Sequence, residues 1–127
     1  MPDGAQVSPQ RYLADSAAAA AAVNAFSAVL DEVAPTAGKE RIFAVAPRLE
    51  AAYTQTSAIA DRLGAQRLED RRLEAQRARA AAALDAVVVA MRLVSDAAGA
   101  GQPVRIATYA DQYAQSVTAL RSLPAGS

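Results

Sequence analysis

The sequence predicts an all-α protein, an antiparallel four-helix bundle with up-down-up-down connections. Three observations support this fold class. Thirty-five of the 127 residues are alanine, the residue with the highest helix propensity. Apolar residues recur at spacings of three and four in four separate segments, as they do along one face of an α-helix. β-Branched and aromatic residues do not form the alternating runs that a strand requires.

The first helix is predicted over residues 9–34. Ser8 can cap its N-terminus, and Pro9 suits the first helical position. Pro35 and Gly38 mark its end. Its apolar stripe consists of Tyr12, Ala19, Val23, Phe26, Leu30 and Val33.

The second helix is predicted over residues 38–63, with a kink near Pro47. A proline removes one backbone hydrogen bond from a helix interior. Because the apolar stripe keeps its phase across Pro47, we expect one kinked helix rather than two helices. The stripe consists of Ile42, Ala46, Leu49, Tyr53, Thr56, Ala60 and Leu63.

The third helix is predicted over residues 66–98, after a turn at Gly64. The alternative is one helix over 38–98, since glycine costs only about 1 kcal/mol inside a helix. The phase of the preceding stripe would place apolar residues at the positions of Arg67 and Asp70, and their charge favours the turn. The stripe resumes as Leu73, Ala80, Leu84, Val87, Met91 and Val94.

The fourth helix is predicted over residues 103–122, because Gly99 and Gly101 end the third helix and Pro103 can open the next. Short connections make consecutive helices antiparallel. The last stripe consists of Ile106, Ala110, Tyr113, Val117 and Leu120.

These elements form one predicted domain over residues 9–123, between a flexible N-terminal tether at 1–8 and a flexible tail at 124–127. We expect no transmembrane segment, since no stretch approaches about 20 apolar residues. The abundance of alanine, and of arginine over lysine, is typical of a GC-rich bacterial genome. The compartment stays open: the cytoplasm, or the cell envelope if a signal or anchor was trimmed from the N-terminus.

The composition argues against an enzyme. The chain has no cysteine and no histidine, which removes disulfides, thiol chemistry, histidine catalysis and the usual zinc sites. We therefore expect no catalytic residue, no cofactor and no metal. One aspartate follows a stripe residue on each helix, at Asp31, Asp61, Asp85 and Asp111. These carboxylates could surround a cation, but the polar boundary of a helical core explains them more simply.

Residues 62–79 contain six of the twelve arginines, interleaved with acidic residues. We interpret this arginine-rich stretch as a solvated helix end that projects beyond its neighbours, with i,i+3 pairs such as Glu69–Arg72 and Glu74–Arg77. The formal net charge of zero and the absence of interleaved aromatic residues argue against nucleic acid. The alternative is a docking site for an acidic protein partner. Its candidate residues are Arg67, Arg71, Arg72 and Tyr109.

Phe26, Tyr53 and Tyr113 are bulky members of alanine-rich stripes. They fill the core, or they frame a pocket for an apolar ligand between helices. The predicted function is a non-enzymatic binding or scaffolding domain that acts through a protein partner or as a homo-oligomer. The alternative is a cell-envelope sensing or carrier bundle that binds a small apolar or amphiphilic molecule between its helices.

Overall fold

The computed structural model describes residues 5–33 and 38–123, in which four helices pack against one another in chain order. This confirms the predicted four-helix bundle. The predicted tail at 124–127 and the predicted end of the first helix at residue 34 lie outside the described residues. The helices are α1 (Pro9–Asp31), α2 (Lys39–Ala65), α3 (Arg71–Gly99) and α4 (Pro103–Arg121).

The starts of the first two helices follow the prediction closely. The Ser8 hydroxyl accepts a hydrogen bond from the Arg11 backbone N–H at 3.1 Å, which caps α1 ahead of Pro9. α2 is continuous through Pro47. The unbroken phase of the stripe therefore identified one helix correctly.

The connection between α2 and α3 confirms the turn predicted at Gly64 and excludes one helix over 38–98. α2 ends directly after this glycine, and α3 begins at Arg71, five residues after the predicted start. The carboxylate of Asp70 caps α3 by accepting a hydrogen bond from the Leu73 N–H at 2.9 Å. We call residues 66–70 the α2–α3 turn.

Two short parallel strands explain the later start of α3. β1 (Ala5–Gln6) pairs with β2 (Gln66–Arg67), and the Val7 N–H donates to the carbonyl of the second β2 residue at 2.9 Å. This pairing holds β2 in an extended conformation. It also differs from the tether predicted over 1–8, of which residues 1–4 lie outside the described part.

The connection between α3 and α4 requires glycine at one position. Gly101 has a φ of 65°, and a Cβ atom there would lie 2.6 Å from the ring of Phe43. The Gln102 N–H donates to the Ala97 carbonyl at 3.0 Å, which satisfies the end of α3. The ring of Phe43 therefore covers the turn, although it remains half exposed.

The core contains most of the predicted stripe residues together with Val29, Val45, Ile59 and Leu68, which the stripes left out. The stripe members that are only partly buried are Leu30, Ala46, Tyr53, Leu73, Ala80, Ala110 and Leu120. Val23 and Leu84 are 2% and 1% exposed. Thr56 is also fully buried, and its hydroxyl donates to the Ala52 carbonyl at 2.7 Å, which satisfies the one polar member of its stripe. The largest fully buried apolar side chains are Phe26, Ile42, Val45, Leu49, Leu84, Val87, Met91 and Val94.

α1 departs from the prediction that the chain has no segment apolar enough to cross a membrane. Its most apolar 18-residue window has a mean hydropathy of 1.5, and α1 passes the test for a span by length and composition. The alanine run carries much of this value. Core helices of bundles pass the same test, and seven α1 residues are buried against the rest of the bundle.

Candidate functional site

A cleft opens where the first and last helices face each other. Each consecutive pair of helices packs closely, whereas the backbones of α1 and α4 make few close approaches. The space between them, which we call the α1–α4 cleft, has a volume of about 630 Å³. Its apolar lining includes Leu30, Val33, Ile42, Ile106, Ala110 and Val117.

The side chains of α4 explain why this space remains open. Ala107, Ala110 and Ala114 point into the cleft on successive turns of α4. An alanine methyl group is too short to reach α1 across the gap, so close packing is not achieved there. The cleft follows α4 along its whole length, from Pro103 to Arg121.

Tyr113 forms the floor of the cleft and is 4% exposed. Its ring centroid lies 5.0 Å from that of Phe26, at an interplanar angle of 49°. Its hydroxyl donates to the Val23 carbonyl at 3.0 Å and is 2.6 Å from the Ser27 hydroxyl. Burial raises the pKa of Tyr113, partly offset by the bond to Ser27. Because both of its hydrogen-bond partners lie on α1, the Tyr113 side chain links α4 to α1.

The three predicted pocket residues therefore separate. Tyr113 lines the cleft, Phe26 is fully buried beneath it, and Tyr53 is half-buried on α2 away from the cleft. The sequence named these three residues as bulky stripe members but did not indicate that Phe26 and Tyr113 are in contact. It did not identify the cleft wall, which consists mainly of aliphatic residues and alanine.

Three charged side chains lie along the cleft. Asp31 and Asp111 are exposed and make no hydrogen bond or ion pair with any described residue. The third, Arg121, donates to the Asn24 side chain at 2.7 Å. The cleft therefore presents two unpaired carboxylates, one on each of its facing helices.

Glu32, the residue after Asp31, differs from it because two arginines contact its carboxylate. Arg48 donates to both of its carboxylate oxygens, at 2.9 and 2.7 Å, and Arg41 donates at 3.3 Å. The hydrogen bonds from Arg48 lower the pKa of Glu32 below its usual value. Of the two acidic residues at the end of α1, only Asp31 lacks a cationic partner.

The arginine-rich stretch is solvated only in part: four of its six arginines are exposed, as predicted, whereas Arg77 is buried, which a projecting helix end does not explain. Arg77 is 4% exposed. It donates to both oxygens of Glu74, at 2.8 and 2.5 Å, and to the Leu63 carbonyl at 2.8 Å. Leu68 is buried as well. Arg77 thus links α3 to the C-terminal end of α2, as a second donor to the Leu63 carbonyl, which also accepts from the Gln66 N–H.

The two predicted ion pairs in this stretch have different outcomes. The pair between Glu74 and Arg77 is confirmed, and it lowers the pKa of Glu74 to about 2, with a further contribution from the Leu68 N–H. The predicted Glu69–Arg72 pair is absent among the described residues. Glu69 accepts instead from the Gln6 side chain at 3.5 Å.

A second polar cluster surrounds Asp15, which is buried on α1. Its carboxylate accepts a hydrogen bond from the Gln66 side chain and lies 3.3 Å from Arg11 and 3.7 Å from Arg62. Gln66 is buried too. These contacts fasten the α2–α3 turn to the start of α1, while the side-chain oxygen of Gln66 is buried without a hydrogen-bond partner among the described residues.

The four predicted partner-binding residues do not form one surface. Arg67 is half-buried and donates to the Gln66 carbonyl at 2.9 Å. Arg71 and Arg72 are exposed and form no ion pair with any described residue. Tyr109 is half-buried against the core, in the half of α4 nearer the α3–α4 connection.

The four aspartates considered as a cation site also separate. Asp61 lies near Asp85 and, together with partial burial, raises the pKa of Asp85. Asp31 and Asp111 line the cleft instead. Within residues 5–33 and 38–123 no group of three or more potential ligands is placed to hold a metal ion.

The described structure defines an all-α bundle with a cleft between α1 and α4. A second concave region of about 560 Å³ lies beside the α2–α3 turn and is lined by residues including Val7, Leu68 and Leu73. No protein-family model matches the chain, and comparisons with curated proteins and with solved structures found no similar protein. The α1–α4 cleft, with a volume of about 630 Å³, combines apolar walls with a few charged groups. Such a combination is typical of a binding site.

Proposed function

We propose that this chain is a non-enzymatic binding bundle that holds a small amphiphilic molecule in the α1–α4 cleft. The observation that carries the proposal is the unfilled space between α1 and α4. Its volume of about 630 Å³ lies within the range of about 300–1,000 Å³ that is typical of small-molecule sites. Its walls are aliphatic, and its polar groups are few.

The shape of the cleft supports one extended chain as the occupant. The cleft is about 27 Å long at a rise of about 1.5 Å per residue from Pro103 to Arg121. A long groove between two helices, with aliphatic side chains along its length, suits one extended hydrocarbon chain.

The side chains along the cleft support binding rather than catalysis. The sequence has no histidine or cysteine. The Ser27 hydroxyl is bonded to Tyr113, and the Thr118 hydroxyl donates to the Ala114 carbonyl at 2.9 Å. A nucleophile needs an adjacent base to activate it, and neither hydroxyl has one among the described residues.

The test combines native mass spectrometry with a neutral apolar dye. The gently purified protein should carry an added mass that is absent from the denatured chain, and the stripped protein should bind Nile red. Ala114→Phe places a ring in the cleft and should weaken dye binding about tenfold. Ala119→Phe, on an exposed part of α4 outside the cleft lining, should not. No added mass and no dye binding would refute the proposal.

The second candidate is a scaffolding domain that acts through a protein partner or self-association. It is supported by large apolar side chains that remain exposed, Val104 at 80% and Leu13 at 61%. Exposed apolar area is a common feature of interfaces. The same native spectra report oligomeric state, and a dimer that Leu13→Ser converts to monomer would favour this function.

A further inference from the structure

We propose that the α1–α4 cleft selects cationic amphiphiles, with an alkylammonium head group held between Asp31 and Asp111 and its hydrocarbon chain along the apolar walls. This inference rests on the proposed binding function and adds the charge of the ligand. It is drawn from the charged side chains that line the cleft.

The two carboxylates lie on opposite walls. Asp31 ends α1, and Asp111 lies on α4, so a head group between the two helices would meet both. Neither carboxylate has a partner among the described residues, although Arg48 and Arg41 converge on the adjacent Glu32. The bundle thus neutralises the acidic residue outside the cleft and leaves the two that line it unpaired.

The position of Asp31 adds a second attraction for a cation. It is the last helical residue of α1, where the aligned peptide dipoles leave partial negative charge. The last turn of α1 contains no basic side chain, and the Arg41 guanidinium donates to the Glu32 carbonyl at 3.4 Å just beyond it. A bound cation would therefore compensate mainly the Asp31 carboxylate.

Arg121 does not reverse this preference. It is the one basic side chain in the cleft lining described here, so the lining carries a net charge of −1. Arg121 lies ten residues from Asp111, about 15 Å along α4. Its guanidinium also donates to Asn24. An anionic head group near Asp31 and Asp111 would face two like charges, whereas a cationic one would face two opposite charges.

The experiment compares three probes with the same ten-carbon chain, below their micelle concentrations: decyltrimethylammonium, decyl maltoside and decyl sulfate. Displacement of Nile red at low salt measures each affinity. The cation should bind about tenfold more tightly than the neutral maltoside, from two screened charge pairs, and the sulfate should bind most weakly. Added salt should reduce the preference.

Two double variants make the test specific. Asp31→Asn with Asp111→Asn should abolish the preference, so that the ratio of decyltrimethylammonium to maltoside affinity falls from about ten to about one. Asp61→Asn with Asp85→Asn changes net charge equally outside the cleft lining and should retain the preference. Equal binding of all three probes to the wild type would overturn this inference but not the proposed function. Binding of none of them would refute the proposed function itself.

Discussion

The α2–α3 turn and the α1–α4 cleft both contradict what their composition suggests about burial. Charged and polar side chains are buried around the turn, whereas apolar side chains line a cleft that is open to solvent. The turn belongs to the most highly charged part of the sequence, yet Arg77, Gln66 and Asp15 are buried there. The cleft is lined by aliphatic residues and alanine, yet it is open to solvent. Long polar side chains can reach across a helix end and satisfy one another, whereas alanine cannot span a gap between helices.

The largest effect is expected when the buried polar network around the α2–α3 turn is disrupted at Arg77. Arg77→Met should reduce the free energy of unfolding by about 3 kcal/mol, because it removes the cationic partner of the Glu74 carboxylate and one of the two donors to the Leu63 carbonyl. Urea denaturation followed by circular dichroism measures the loss. Arg79→Met is the matched control: Arg79 is exposed on the same helix, and its loss should stay within about 0.5 kcal/mol. Similar small losses in both variants would show that the buried network contributes little.

Acid should weaken the same network, because protonation of Glu74 removes its charge interaction with Arg77. The pKa of Glu74 is about 2 in the fold against an ordinary value of 4.5. Since the pKa is lowered on folding, this carboxylate stabilises the protein fully above about pH 4.5, and the contribution is lost as the pH falls towards 2. We expect about 2 kcal/mol, because part of the side chain is exposed to solvent.

The pH test compares wild type with Glu74→Gln. The stability difference between them should be constant above about pH 5 and should shrink as the pH falls from 4.5 towards 2. Urea titrations at several pH values measure it, and the comparison cancels the contributions of the other carboxylates. A difference that does not change over this range would contradict the assignment of the lowered pKa to Glu74.

The sequence predicted what depends on periodicity and missed what depends on distant contacts. The stripes placed Val23 and Leu84 in the core correctly. Arg77 occupies a stripe position between Leu73 and Ala80, so a signal for its burial existed, but its charge suggested a solvated face instead. The pairing of β1 with β2 joins two-residue segments about 60 positions apart and has no periodic signature. The cleft depends on the spacing between α1 and α4, which neither stripe specifies alone.

Removing a contact across the α1–α4 cleft should reduce the free energy of unfolding less than removing Arg77 does. Tyr113→Phe removes the hydroxyl that bonds to Val23 and Ser27 across the floor of the cleft. We expect a loss of about 1 kcal/mol in the free energy of unfolding, since the Val23 carbonyl still bonds within its helix. Tyr109→Phe is the control, because no hydrogen bond of the Tyr109 hydroxyl is described, and it should be nearly neutral. Equal effects of the two changes would mean that Tyr113 does not link α1 to α4.

The smallest effect is expected where the charged stretch is truly solvated. Arg71 and Arg72 open α3, exposed and without ion pairs among the described residues. Reversing both to glutamate adds negative charge near Asp70 and Glu74, but it also places that charge at a helix N-terminus, where negative charge is favoured. These effects oppose each other, so the free energy of unfolding should change by no more than about 0.5 kcal/mol in the same urea assay. A loss as large as that of Arg77→Met would mean that Arg71 and Arg72 also belong to the buried polar network. The network would then include the whole start of α3 and not Arg77 alone.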